Sequence, residues 1–151
     1  MLVWLIDFDG KMENLALMRL SAYHKAAGDT VVLRRCARGR TIELAHALRP
    51  LFDEPDKVYI SCIFRWNECL AHDLAAQWGD KAAIGGTGVS HKICLPQNVA
   101  NTPADYSLYG RNRIVGFISR GCNNKCPWCV VWRKEGRLQR VSTAQALLQE
   151  L

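Results

Sequence analysis

Short apolar runs separated by helix-sized segments constrain this chain more than any other feature. Residues 2–6 (LVWLI) are continuously apolar, as in a strand covered on both faces, and stop at the turn Asp7-Phe8-Asp9-Gly10. Residues 14–27 are good helix formers with apolar positions at Leu15, Met18, Ala22 and Ala26, and Gly28 stands where a left-handed C-cap belongs. The pattern then repeats. Residues 30–33 resume as a strand, 41–51 as a helix and 57–64 (KVYISCIF) as a buried strand. Residues 67–78 follow as a helix turning Leu70, Ala71, Leu74, Ala75 and Trp78 to a core, and 82–84 as a short strand before Gly85-Gly86-Thr87-Gly88. Such alternation predicts a parallel sheet with helices on both faces, a doubly wound, Rossmann-like α/β domain over residues 1–94.

Beyond it the pattern changes. Residues 95–112 (LPQNVANTPADYSLYGRN) hold two prolines, three asparagines and a glycine without apolar periodicity, which predicts a linker. Residues 114–118 form another apolar run, predicted as a strand leading into a cysteine-rich loop. Ser142 with Gln145 fits a capping box that opens a helix over 143–151.

Composition narrows the class. With 49% hydrophobic and 23% charged residues the chain is expected to fold rather than stay disordered. The first apolar run is too short to cross a bilayer and lacks a basic lead-in, so a cytoplasmic protein with no membrane association is expected. Seven cysteines in such a chain point to buried thiols or metal ligands before disulfides. Cys36, Cys62, Cys69 and Cys94 are scattered and read as small buried apolar residues. Cys122, Cys126 and Cys129 crowd into one loop.

The net charge of +6 concentrates on that loop. Residues 111–140 hold eight basic residues (Arg111, Arg113, Arg120, Lys125, Arg133, Lys134, Arg137 and Arg140) against Glu135 alone, a balance of +7; the remainder has 12 basic and 13 acidic residues. Three thiolates spaced as CNNKCPWC can wrap one face of a metal centre. Electron-transfer iron–sulfur clusters and structural zinc normally take four protein ligands, so three leave one position open to a ligand that is not protein.

Cys122-x3-Cys126-x2-Cys129, with Trp128 just before the last cysteine and an apolar run ahead of the loop, resembles the signature of the radical S-adenosylmethionine superfamily. The likeness covers about residues 113–142. It implies a [4Fe-4S] cluster on Cys122, Cys126 and Cys129, S-adenosylmethionine on the fourth iron, and Trp128 beside the adenine. It also implies a 5′-deoxyadenosyl radical that abstracts hydrogen from a substrate the sequence does not identify, and an electron donor such as flavodoxin or ferredoxin. Under this resemblance residues 113–151 are the first βα unit of a TIM-like barrel. One unit cannot close a fold that takes about 250 residues, so the isolated chain is expected to be inactive or nearly so.

The first domain is similar to the cobalamin-binding-like domain that precedes such barrels. The Asp-x-His-x-x-Gly segment is absent, however, and His24 with Gly28 has the wrong spacing, so cobalamin is not inferred.

Alternatives stand beside these readings. The three-cysteine loop could be a zinc knuckle completed by His91 or Cys94, in a basic module that recognises nucleic acid. The Gly85–Gly88 run could cradle a phosphate, although it lacks the following Lys-Ser/Thr and suits a tight turn better. Asp7 and Asp9 fall where doubly wound sheets face ligands, and a plain turn accounts for them equally. His24, His46 and His72 lie on predicted helices and need no catalytic role, and the five tryptophans suit a core or a domain interface.

Overall fold

The computed structural model describes residues 1–36, 54–110 and 114–149. The predicted helix over 41–51, with His46, lies outside the described residues, as do Arg111 and Arg113.

Four strands form one parallel sheet: β1 (Leu2–Asp7), β2 (Thr30–Arg35), β3 (Lys57–Ser61) and β4 (Ala82–Gly85), in the order β2-β1-β3-β4. The fold is therefore α/β. Alternate residues of β1 serve opposite faces. Trp4 and Ile6 join Val58, Ile60, Cys62 and, from helix α2 (Glu68–Ala76), Ala71 and Leu74. Val3 and Leu5 join Leu17 and Leu20 of helix α1 (Leu15–Ala26). This is why residues 2–6 carry no polar member.

Helix α1 begins where the side chain of Asn14 accepts from the Ala16 and Leu17 N–H groups, satisfying donors that a first turn leaves free. It ends before Gly28, whose φ of +81° suits glycine. On β3 the ladder stops at Ser61, short of the predicted end, and residues 65–67 turn as a single 3₁₀ element.

The segment 95–110 differs from a free linker. It forms helix α3 (Gln97–Ala100) and a 3₁₀ turn over Tyr106–Tyr109, and folds back along α1. Val99 and Ala104 are buried, and Val99 joins the Val3 and Leu5 layer. Asp105 accepts from Ser21 (2.6 Å) and Lys25 (2.7 Å). Periodicity does not reveal such a strap, because its anchors are single residues.

The strand predicted at 114–118 is not formed. A strand is stable only with a partner for its ladder, and here the pairing is local. Strand β5 (Ser119–Arg120) runs antiparallel to β6 (Gln139–Arg140). Between them lie the cysteine loop and helix α4 (Val131–Glu135). The last helix, α5 (Ala144–Leu148), starts one residue later than the capping box predicts. Thr143, with extended backbone, is the cap, and its Oγ1 accepts from Ala146 N–H at 3.0 Å. Ser142 instead donates to the Thr143 carbonyl, so Gln145 is not at the third position from the cap. Among the described residues no helix is long and apolar enough to cross a membrane.

Candidate metal centre: the cysteine loop

The short β5–β6 ladder brings the two ends of the loop together, and Gly121 sets the entry. Its φ is +83°, and a Cβ there would collide with the Arg137 carbonyl, so only glycine fits. Cys122 N–H donates to the Gly136 carbonyl (3.1 Å), and Leu138 N–H to Asn123 Oδ1 (3.3 Å). The Cys126 carbonyl accepts twice, from Cys129 N–H (3.1 Å) and Trp132 Nε1 (2.9 Å). Arg133 donates to the Pro127 carbonyl and lies over the Trp132 ring. The first cysteine is thus tied to Gly136, the second to Trp132, and the third to the second.

Glu135 is the one acidic residue in the basic stretch, and that isolation is the signal by which the sequence could have singled it out. Its carboxylate accepts from Arg120 (2.8 Å) and from Gly121 N–H (3.1 Å). The Arg120 bond, more than any other influence, holds the Glu135 carboxyl below the usual range. Arg120 also stacks over Phe117.

All three thiols are free and half-buried. A depression of about 450 Å³ opens at Cys122, lined also by Asn123, Lys125, Trp132, Gly136 and Arg137. Trp128 is 87% exposed. Sequence reasoning did not foresee Asn123, Trp132 and Arg137 at this depression.

The residues present decide which metal group suits them. Among the described residues no three His, Cys, Asp or Glu side chains converge closely enough to hold one metal ion. A cluster asks for less convergence, since its thiolates bind separate irons. Three soft sulfur donors suit it. The Arg120 Nε, two residues before Cys122, is buried without a hydrogen-bond partner and leaves a donor next to the loop. On donor chemistry the loop fits an iron–sulfur cluster.

The carboxyl edge of the sheet is occupied by its own side chains. Asp9 accepts from Ile63 N–H (2.7 Å), Phe64 N–H (2.9 Å) and Asn67 Nδ2 (3.0 Å), between β1 and β3. Asp7, 1% exposed, accepts from Gly10 N–H and the Tyr109 hydroxyl and pairs with Arg35 at 3.3 Å. The glycine run is a turn: Gly88 N–H donates to the Cys62 carbonyl (3.0 Å) and Thr87 Oγ1 to the Ile63 carbonyl (3.0 Å).

The remaining cysteines divide. Cys62 is buried, and burial with the nearby Asp9 charge pushes its thiol up to about 12. Half-buried Cys36 is pushed up to about 11, chiefly by burial. Cys69 and Cys94 are exposed, contrary to the apolar-core expectation: Cys69 lies on the outer side of α2, away from Ala71 and Leu74, and Cys94 on an irregular segment with no covering layer. Trp4 and Trp78 are core residues, while Trp66 is exposed and stacks on Phe64. His24 is buried between Asp29 (2.8 Å) and Tyr59 (3.1 Å), and His72 is exposed. Comparisons with models of protein families, with curated proteins and with solved structures returned no match.

Proposed function

We propose that this chain is a radical S-adenosylmethionine protein, or a portion of one, in which Cys122, Cys126 and Cys129 hold a [4Fe-4S] cluster. The observation that carries the reading is the donor set: three free, half-buried thiols on one loop, spaced Cys122-x3-Cys126-x2-Cys129. When bound, such a cluster supplies the electron that splits S-adenosylmethionine into methionine and a 5′-deoxyadenosyl radical. The chain's own residues bind and neutralise. The three thiolates would hold the cluster, and Lys125 and Arg137, lining the depression at Cys122, would offset its negative charge. Exposed Trp128 offers its ring to the adenine.

In this reading residues 113–151 belong to the start of a TIM-like barrel, although the strand expected at 114–118 is not formed here, and the parallel-sheet domain precedes it, with no cobalamin inferred. A cytoplasmic location belongs to the same reading. An electron donor such as flavodoxin or ferredoxin completes the scheme.

Anaerobic reconstitution tests it. About four irons and four sulfides per chain are expected, from the cluster type that three thiolates and one open iron imply. Added S-adenosylmethionine should change the electron paramagnetic resonance spectrum of the reduced cluster. Stoichiometric zinc without sulfide would overturn the proposal in favour of the zinc-knuckle reading.

A further inference from the structure

We infer that Glu135 is a positioning residue that latches the first cysteine of the loop, an inference that rests on the cluster reading for its purpose and not for its geometry. The ladder closing the loop has only two residue pairs, Ser119 with Arg140 and Arg120 with Gln139. A two-stranded ladder that short is marginal in water, and fixing the ends of the loop it closes costs conformational entropy. Something else must hold the entry still.

The Glu135 carboxylate does so at the residue before Cys122. One oxygen takes the Arg120 guanidinium at 2.8 Å and the other takes Gly121 N–H at 3.1 Å. Beside it, Cys122 N–H meets the Gly136 carbonyl, so three consecutive residues, 120 to 122, are bonded to Glu135 and Gly136. Both carboxylate bonds carry charge, which makes them stronger than neutral ones. The placement also runs against local preference, because Glu135 ends α4, where a helix disfavours negative charge. Arg120 compensates for that, and a local rule broken with a matching compensation marks a position serving a site.

The other two cysteines depend on different bonds. The Cys126 carbonyl is held by Cys129 N–H and Trp132 Nε1. Loss of Glu135 should therefore free Cys122 selectively. A general loosening of the fold would affect all three thiols alike.

The test labels the reduced, metal-free chain with iodoacetamide and follows each cysteine by mass spectrometry. In Glu135→Ala the Cys122 rate should rise about threefold to tenfold relative to Cys126 and Cys129, the range set by loss of charge-assisted hydrogen bonds. Glu135→Gln, whose amide has a single acceptor oxygen, should fall between the variant and the original, and it decides the matter if Glu135→Ala does not fold. In reconstituted protein the same variants should lose iron to a chelator faster, in the same order. Equal acceleration at all three cysteines, or none at Cys122, overturns the latch. If the unaltered chain takes up no iron and sulfide, the cluster reading fails, and the labelling ratio still decides the latch.

Discussion

The Tyr109 hydroxyl donates to Asp7 Oδ2 at 3.1 Å, joining residues 102 positions apart. Asp7 ends β1, and Tyr109 ends the strap that returns along α1. Burial raises the Asp7 carboxyl above its usual range, while Tyr109, Arg35 and the Gly10 N–H oppose the rise. The folded chain therefore keeps that proton to higher pH than the unfolded chain does, and the Asp7 contribution to stability falls as pH climbs from the usual carboxylate range through the raised value.

Tyr109→Phe removes a donor from a buried carboxylate and should cost about 2 kcal/mol at neutral pH. The variant should also raise Asp7 further, so the deficit shrinks as pH falls through the raised Asp7 value. Urea unfolding at neutral pH and below that value measures it. Equal deficits would show that Tyr109 does not act through the Asp7 charge.

Asp105 titrates in the other sense. Burial pushes it up, but hydrogen bonds from Lys25, Ser107 and Ser21 together hold it below the usual carboxylate range. Its contribution is complete above that range and is lost as pH falls through the lowered value. Asp105→Asn should destabilise by about 1 kcal/mol at neutral pH. This deficit should persist through the usual carboxylate range and fade only as pH falls through the lowered Asp105 value, whereas that of Tyr109→Phe starts to shrink above that range. Thermal unfolding across the acid range separates the two.

Two glycines with positive φ should respond differently to alanine. Gly86 has φ +108°, and a Cβ there would strike the Cys62 carbonyl; Gly28 has φ +81° with open space around it. Gly28→Ala should cost about 1 kcal/mol, the backbone penalty alone. Gly86→Ala should cost more than about 2 kcal/mol, since the β3 and β4 ends must part. Denaturant midpoints give the order, and equal costs would refute the close approach.

Cys126→Ala should abolish iron uptake with little change in the loop backbone, because the bonds at residue 126 are made by its carbonyl. Cys69→Ala, at an exposed position on α2, should leave iron content unchanged. Iron and sulfide analysis after anaerobic reconstitution checks both.

What could be read from the sequence follows from where regular burial operates. Residues 2–6 announce β1 because Val3, Trp4, Leu5 and Ile6 are buried and Leu2 half-buried, and Leu74 and Ala71 announce α2 because they repeat at helical spacing. Periodicity fails where one contact does the holding. Val99, Asp105 and Tyr109 each anchor the strap separately, so its prolines and asparagines suggest a linker. The run at 114–118 is apolar, but a strand needs a neighbour, and local sequence cannot supply one. At the loop, the three cysteines are legible from spacing. Their tethers are legible only once the chain is folded, since Glu135 reaches Gly121 across 14 residues.

Neighbouring residues of β1 face different layers, Trp4 towards α2 and Leu5 towards α1. Shaving one of them thins a single layer and leaves its neighbour's packing in place. Losses at Leu17 and Leu74, which never share a partner layer, should therefore simply sum. Two lesions within one layer should interfere with each other. The central strand acts as a party wall between two rooms, each able to settle without disturbing the other.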